Sequence, residues 1–343
     1  MTRIEKTEIL FVLLSNYRFI IMLVTDYPKT SISLLIILII FVIVYIFYRI
    51  DLGKSNSLFG TYQYKVFQST FGEIAYMDVG SGTPILVFHG ICGGYDQGYI
   101  SVFNALKKNI NGYRIISPSR FGYPGSSLPN RRSSTDQAAA ILELLDSLGI
   151  NKAFVFAISA GGSIGLRFAM NYPQRTAGVI LLSSGAPTLK NPEDIQAPPS
   201  FIFYNFPMWL SLKLARSVYL DMFGVNKDDY ERAEPEDKKN VQDLLDMMLP
   251  ISNRHPGIMN DNEVTNRDMA LYYSEYEIEK IQSPFLIFHA KDDPMALFED
   301  MEKMIERIQN KEPHIFEKGG HLIFGSDNQI NDSIRKFTNQ INI

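Results

Sequence analysis

The 343-residue sequence has almost no cysteine, few histidines and no excess of positive charge. Because Cys92 is its single cysteine, an intramolecular disulfide is excluded. The five histidines form no Cys/His cluster at the spacing of zinc ligands, so we expect no metal. Lysine and arginine number 33 against 37 aspartates and glutamates, and this net charge of −4 gives no reason to expect a nucleic-acid partner.

Apolar residues are abundant, at 46% of the chain against 20% charged residues. Such a composition buries a large core and excludes wholesale disorder. At ~150 residues per domain the length corresponds to about two domains. One large α/β domain with an inserted subdomain and two separate domains are both open at this point.

The longest apolar run predicts a membrane span over about residues 31–48. It reads SISLLIILIIFVIVYIFY, without a charge, and as a helix it would cover roughly 27 Å of hydrocarbon. Tyr45, Phe47 and Tyr48 are followed by Arg49, and these residue types anchor spans at the interface. A buried core helix or a cleaved signal peptide fits less well, because the run has no polar face and no small-residue cleavage site follows it. We therefore expect the lipid bilayer to be a partner.

The segment before this span leaves the topology open. Residues 9–25 are apolar but interrupted by Ser15, Asn16 and Arg18, and a central arginine costs about 2.5–3.5 kcal/mol on insertion scales. The segment is a second span or an interfacial helix, or it belongs only in part to the natural protein if translation starts at Met22. A single pass with the large domain outside the cytoplasm is favoured, whereas two spans would place that domain inside.

Beyond a polar, glycine-containing tether at 51–60, short β-like runs alternate with helical patterns. The β-like runs are 62–68, 73–79, 84–88, 113–116, 153–157, 177–182 and 285–288, and the helical patterns are 135–148, 160–171 and 297–308. Such alternation predicts a mostly parallel sheet with helices on both faces. Ligands bind such sheets at the carboxyl ends of the strands, so catalytic groups are expected there.

The run 153–157 ends in the pattern of a nucleophile elbow. The sequence ISAGG at 158–162 joins a strand to a helix through small residues, which allows a tight turn that exposes the Ser159 hydroxyl near a helix N-terminus. Ala157 replaces the first glycine of the motif, which still leaves room for the turn. A glycine-rich turn without a catalytic role is the alternative.

A serine hydroxyl needs a base to accept its proton and a carboxylate to orient that base. Among the five histidines, His321 follows a Gly-Gly turn after a strand pattern, which makes it the best base, although any one histidine can be structural. The acid is expected at a strand end between serine and histidine, where Asp292 and Asp293 follow the run 285–288. Two aspartates before a proline are also typical of a turn or a helix cap.

Acyl transfer further requires an oxyanion hole for the negative charge of the tetrahedral intermediate. The predicted donors are the backbone N–H of Ala160, directly after the serine, and that of Ile91 in the turn HGICGG at 89–94. Cys92 in this turn is an alternative nucleophile. It lacks an elbow, and buried packing is its expected role.

Four motifs in this order resemble the α/β-hydrolase fold family: HGICGG, SRFGYPGSS, FAISAGGSIGLRFAMNYP, and HAKDDP with GGHLIF. The resemblance covers about residue 62 to the end of the chain. It implies an α/β-hydrolase fold with a helical cap inserted after the sixth strand, and it assigns the acid to Asp293, with Asp292 as runner-up. The departures are Ala157, Ala290 for a common glycine and Ser119 for a common aspartate, and none of them removes a catalytic group.

This resemblance also implies the domain organisation. The anchor and tether occupy residues 1–60, the hydrolase core 61–186 and 284–343, and the helical cap 187–283. Phenylalanine and methionine residues of the cap predict an apolar lining that would suit a hydrophobic acyl or alkyl group. They are residues 201–209, Met247, Met248 and Met259, and plain packing of the cap onto the core is the alternative.

The expected protein is a membrane-anchored serine hydrolase that cleaves an ester or related acyl bond of a small to medium hydrophobic molecule, without a cofactor. Ser159 would attack, His321 would move the proton, Asp293 would orient the imidazole, and Ile91 and Ala160 would stabilise the oxyanion. Lactonase, peptidase and carbon–carbon hydrolase activities of the same fold stay open. So does a ligand sensor or partner-binding protein that keeps the fold but turns over little.

Overall fold

The computed structural model describes residues 28–195, 197–341 and 343. Contacts between residues divide the chain into two compact units, Met1–Lys54 and Ser55–Ile343. In the first unit the described residues belong to helix α1 (Pro28–Phe59). The predictions of a second span at 9–25 and of a start at Met22 lie outside the described residues.

Helix α1 is longer than the predicted span. It continues through the residues predicted as a tether, so that segment is helical rather than an irregular linker. Asp51 and Lys54 form an i,i+3 pair at 3.3 Å that favours this continuation, and the helix ends only before Gly60. Its most apolar 18-residue window has a mean hydropathy of 2.7, and none of that window is buried.

The second unit is built on an eight-stranded sheet. The strands are β1 (Lys65–Ser69), β2 (Gly72–Gly80), β3 (Thr83–Phe88), β4 (Tyr113–Pro118), β5 (Ala153–Ile158), β6 (Thr176–Leu182), β7 (Phe285–Ala290) and β8 (Lys311–Phe316). They lie in the order β1-β2-β4-β3-β5-β6-β7-β8, with β2 antiparallel to both of its neighbours and all other pairs parallel. The predicted mostly parallel sheet is therefore confirmed.

Helices pack on both faces of this sheet and fill the connection between β6 and β7. They are α2 (Tyr95–Ala105), α3 (Ser134–Ser147), α4 (Gly162–Asn171), α5 (Asn205–Leu214), α6 (Arg216–Met222), α7 (Lys227–Arg232), α8 (Pro235–Asp246), α9 (His255–Asn260), α10 (Asn266–Leu271), α11 (Phe298–Arg307) and α12 (Asp327–Asn339). One apolar cluster packs α3, α4 and α11 on one face, and a second packs α2 and α12 on the other. The central strands are apolar on both sides for this reason.

The connection between β6 and β7 is helical. It carries α5 to α10 and a short π-helix (Asp261–Thr265), and its described residues form no strand. This connection contains the segment predicted as the cap. All strands from β3 to β8 run in the same direction, so their carboxyl ends meet at one edge of the sheet.

Candidate active site

The predicted elbow lies where β5 passes into α4. Ser159 has a φ of 50°, a backbone conformation that is unfavourable for a residue with a side chain and is typical of a nucleophile elbow. Gly161 has to be glycine, because an added Cβ would lie 2.1 Å from the carbonyl oxygen of Phe88. The turn can therefore pack tightly against the end of β3.

The alanine at the first elbow position is accommodated by a glycine in the following helix. A Cβ added to Gly165 of α4 would lie 2.7 Å from the Cβ of Ala157. The motif usually has a glycine two residues before the serine. Here Gly165, six residues after the serine, supplies the space that this glycine would give. This departure from the family pattern leaves the elbow intact.

Three predicted residues meet at the sheet edge. His321, in the loop after β8, places Nε2 2.9 Å from Oγ of Ser159 and Nδ1 2.8 Å from Oδ2 of Asp293, which follows β7. His321 is 8% exposed and Asp293 3%, whereas Ser159 is partly exposed. An imidazole between a hydroxyl and a buried carboxylate can accept the hydroxyl proton and keep the correct tautomer.

The Asp293 carboxylate is held in its charged form. Burial alone raises its pKa, but the hydrogen bond and the charge of His321 oppose this, as do the N–H groups of Met295 and Ala296, which donate to Oδ1 at 2.8 and 2.9 Å. The net result is a pKa below the ordinary value of this carboxyl. Asp293 is therefore ionised at neutral pH.

The neighbouring aspartate makes different contacts. Oδ1 of Asp292 accepts the N–H of Gly320 at 2.9 Å, and Oδ2 accepts that of Gly319 at 3.3 Å. Asp292 thus holds the backbone of the loop that carries His321, while Asp293 contacts the imidazole. Of the two candidates left by the residue pattern, the structure places Asp293 beside the imidazole of His321.

Two other histidines lie near the site with structural contacts. Nδ1 of His89 donates to the carbonyl of the following residue at 2.8 Å, and Nε2 accepts the N–H of Arg120 at 3.0 Å. Burial, and then the charge of Arg120, lower the pKa of His89 well below its ordinary value. Burial likewise lowers the pKa of His289, whose Nε2 lies 2.7 Å from the carbonyl oxygen of Ala296. Both are therefore neutral at pH 7.

The turn predicted to supply an oxyanion donor passes close to the serine. A Cβ added to Gly90 would lie 3.2 Å from the Cβ of Ser159, and Ile91 lines the same cavity as Ser159. Ala160 is partly exposed at the elbow. The structure thus brings both predicted donors, Ile91 and Ala160, to the neighbourhood of the hydroxyl.

Cys92 in this turn is buried. Burial raises the pKa of its thiol to about 12. Because the thiolate is the nucleophilic form, a thiol that stays protonated at neutral pH is a poor nucleophile. These surroundings favour the packing role over the alternative of a nucleophilic cysteine.

A buried ion pair that the sequence did not reveal supports this turn. Arg120 donates from Nη1 and Nη2 to Asp261 at 2.5 and 2.6 Å, and Nη2 also donates to the carbonyl of Gly90 at 3.1 Å. Tyr123 donates to the same carboxylate at 2.5 Å. Asp261 belongs to the helical connection between β6 and β7. Through Arg120, this connection is therefore hydrogen-bonded to the turn 89–94 beside Ser159, which we call the turn over Ser159.

A second buried ion pair links the same helical connection to the other end of this turn. Arg254 donates to Asp96 at 2.6 and 3.0 Å and to the carbonyl of Gly93 at 2.5 Å. Both side chains are at most 2% exposed. Arg120 lies in a motif quoted above, but the partners of both arginines are more than a hundred residues away in sequence, and no local pattern pairs them.

A cavity of about 240 Å³ opens beside Ser159 and His321. Of the side chains predicted as its lining, Met248 does line it. The other predictions are wrong: Trp209 and Met247 are buried in packing contacts and lie outside the lining, as do the rest of that set. Within the described part of the chain, no group of three or more potential ligand side chains could hold a metal ion.

The chain is similar in sequence to known hydrolases. A family model described as alpha/beta hydrolase fold matches residues 83–327. The uncharacterized hydrolase YcgS of Bacillus subtilis (strain 168) is 36% identical over 138 residues, which are 40% of this chain and 47%, about half, of that relative. The 2-hydroxy-6-oxo-6-phenylhexa-2,4-dienoate hydrolase of Burkholderia cepacia is 24% identical over 253 residues, 71% of this chain and 83% of that protein.

A solved structure gives the same fold. The esterase EaEST from Exiguobacterium antarcticum superposes with a TM-score of 0.60 and 22% identity, over 81% of this chain and 100% of its own. The names of the relatives are those of hydrolases and esterases, which confirms the expectation of a hydrolase. Since the family model covers well over half of the residues, the chain belongs to the α/β-hydrolase fold family.

Proposed function

We propose that this chain is a serine hydrolase that cleaves a carboxylic ester, or a related acyl bond, of a small to medium hydrophobic molecule. The supporting observation is the continuous set of hydrogen bonds from Asp293 through His321 to Ser159, at 2.8 and 2.9 Å, at a strained elbow that faces a cavity. A serine at this position lacks reactivity without such a base, and the 2.9 Å contact between Nε2 of His321 and Oγ of Ser159 supports this role for His321.

The reaction proceeds through an acyl-enzyme. Oγ of Ser159 attacks the carbonyl carbon while Nε2 of His321 takes its proton, and the imidazolium then protonates the departing alkoxide. Water attacks the acyl-serine with His321 again as base, which releases the acid and restores the hydroxyl. The N–H groups of Ile91 and Ala160 stabilise the oxyanion in both halves, and the loss of one such donor costs about 2.7–4 kcal/mol.

A fluorophosphonate probe tests this mechanism, because it reacts only with an activated serine. We expect covalent labelling of the wild-type protein at Ser159, and its complete loss in Ser159→Ala. Ser147→Ala is the matched control, since Ser147 is exposed at the end of α3 and should label like wild type. Absence of labelling in the folded wild-type protein would contradict the proposal and favour the ligand sensor.

Carbon–carbon bond hydrolysis is the second candidate, because the Burkholderia cepacia relative is named for a dienoate. Both reactions use the same fold, so the substrate decides between them. We expect higher kcat/KM for p-nitrophenyl esters of short to medium chain length than for a 2-hydroxy-6-oxo-dienoate. The reverse order would replace the ester proposal by this second candidate.

The chain is further proposed to be held in a bilayer by residues 31–48, with the hydrolase unit outside the cytoplasm. Helix α1 is long enough to span the hydrocarbon, and its apolar window is unburied. An anchored chain should keep these residues in the mature protein and stay in the membrane pellet after alkaline carbonate extraction. A mature N-terminus beyond residue 48 would show a cleaved signal sequence instead.

A further inference from the structure

One wall of the cavity is polar in a way that the proposed reaction does not use. Helix α2 begins directly after the turn 89–94 and presents Gln97, Ser101 and Asn104 on one face, each about one helical turn from the next. All three residues line the cavity. We call them the polar track, and it leads along α2 away from the turn over Ser159.

The far end of α2 meets the beginnings of α8 and α12. Nζ of Lys108, three residues beyond the helix, lies 3.0 Å from a carboxylate oxygen of Glu236 in the first turn of α8. Nζ of Lys107 lies 2.5 Å from Oδ1 of Asn328 in the first turn of α12. These exposed contacts place the starts of both helices at the same end of the polar track.

Beside these contacts, on the cavity side, lie three further polar residues. Asp237 and Asp327 line the cavity, and Nδ2 of Asn240 donates to Oδ2 of Asp327 at 3.3 Å. We call Asp237, Asn240 and Asp327 the acidic end. Between this end and Ser159, apolar side chains of α8 such as Val241 and Leu244 line the cavity.

The side chain of Gln97 indicates that the track is built for a ligand. Gln97 is only 8% exposed, and its amide has no hydrogen-bond partner among the residues that the structure describes. An amide that makes no hydrogen bond within the protein keeps its donors and its acceptor for a group that enters from outside. Here the amide lines the cavity into which a substrate would enter.

Charge defines which substrate groups fit. The described lining residues include the carboxylates of Asp237 and Asp327 but no lysine or arginine. Burial raises the pKa of Asp327, the charge of Asp237 raises it further, and the hydrogen bond from Asn240 and the charge of Lys107 oppose this. A substrate carboxylate would lose its hydration here and meet like charges, whereas a hydroxyl or protonated amine would find acceptors.

We propose that the acidic end and the polar track form a subsite for a hydrogen-bond-donating group of the substrate, a hydroxyl or a protonated amine, remote from the bond that Ser159 attacks. This inference rests on the proposed ester hydrolysis and narrows it. The substrate has an apolar middle that passes α8, a scissile acyl bond at Ser159, and a distal end without a carboxylate.

The test is a set of esters of equal length whose distal end is a hydroxyl, an ammonium, a methyl or a carboxylate. Each end group is carried once on the acyl chain and once on the alcohol chain, so that whichever part enters the acidic end is sampled. For the full-length protein we expect kcat/KM at least about tenfold higher for the hydroxyl or ammonium ester than for the carboxylate, as one charge-assisted hydrogen bond supplies. The hydroxyl and ammonium arms show which donor is preferred.

Substitutions in the acidic end and the polar track test whether these residues cause the preference among end groups. The double variant Asp237→Asn/Asp327→Asn should lose most of the discrimination against the carboxylate, and Gln97→Met should reduce the preference for the hydroxyl over the methyl ester. Glu236→Gln is the matched control, because it removes a neighbouring charge outside the cavity lining and should leave the order unchanged. A preference for the carboxylate ester, or rates for both the hydroxyl and the ammonium ester that do not exceed the rate for the methyl ester, overturns the proposal.

A binding measurement separates this proposal from the ester mechanism. Ser159→Ala is titrated calorimetrically with the same intact compounds, which reports recognition without turnover. One outcome is that wild type hydrolyses none of the esters while the hydroxyl or ammonium compound still binds at least about tenfold more tightly than the carboxylate compound. That result would support the subsite and contradict the proposed ester hydrolysis. Equal binding of all four compounds overturns the subsite alone.

Discussion

The two ends of the cavity differ in how their polar groups are satisfied. At the catalytic end, Ser159, His321 and Asp293 form one hydrogen-bonded set. At the acidic end Asn240 donates to Asp327, but no hydrogen bond or ion pair joins the side chain of Asp237, or the side-chain amide of Gln97 on the way there, to a described residue. Under the two proposals above, the first end is a reaction centre that is organised before the substrate arrives, and the second is a recognition surface that the substrate completes.

The largest expected effect is the loss of turnover when the carboxylate of Asp293 is replaced. Asp293→Asn should lower kcat by about 10⁴-fold, because an amide favours the wrong tautomer of the imidazole. Asp292→Asn is the matched control and should be mild, since an amide oxygen can still accept the N–H groups of Gly319 and Gly320. Steady-state hydrolysis of a p-nitrophenyl ester measures both variants, and the reverse ranking would identify Asp292 as the acid.

The next effect concerns the stability of the polar support around the turn over Ser159. Asp261→Ala should lower the free energy of unfolding by about 3–5 kcal/mol, because it leaves the buried guanidinium of Arg120 without its partner. The control Asp229→Ala breaks an exposed pair with Arg232 and should cost less than about 1 kcal/mol. Urea unfolding followed by the fluorescence of the buried Trp209 gives both values, and equal losses would show that the buried pair contributes no more than a surface pair.

The smallest effect is a pH dependence that assigns the base. Activity should fall on acidification by up to about tenfold per pH unit, because a protonated His321 cannot accept the serine proton. The pKa of Asp293 lies below its ordinary value and burial lowers those of His89 and His289, so all three shifts oppose protonation of these groups between about pH 5 and 8, where a histidine ordinarily titrates. A profile of kcat/KM that is flat over this interval contradicts the assignment, and His314→Gln, outside the cavity lining, should leave the fall unchanged.

Local patterns in the sequence were enough to predict the three residues that the structure brings together at one end of the cavity. Strand periodicity predicted β5 and β7 to within about two residues, and the small residues around Ser159 predicted the tight turn that the structure contains. Chain order and the Gly-Gly turn selected His321, which the structure brings to Ser159. These features depend on neighbours in the chain, so they are visible without a fold.

The features that escaped prediction depend on residues distant in the chain. Arg120 and Asp261 are 141 residues apart, and only the folded connection between β6 and β7 brings them together. The unpartnered amide of Gln97 is defined by what surrounds it, which no sequence motif encodes. Composition predicts a tether at residues 51–60, but α1 continues through Phe59, and the pair between Asp51 and Lys54 favours this continuation.

The most direct test of the account is the detection of the acyl-enzyme itself. The protein is mixed with excess p-nitrophenyl ester, quenched in acid within the first turnover, digested, and analysed by mass spectrometry. The account predicts a burst of about one p-nitrophenol per chain and an acyl group on the peptide that contains Ser159. Turnover without an acylated peptide, or an acyl group on Cys92 instead, would contradict it.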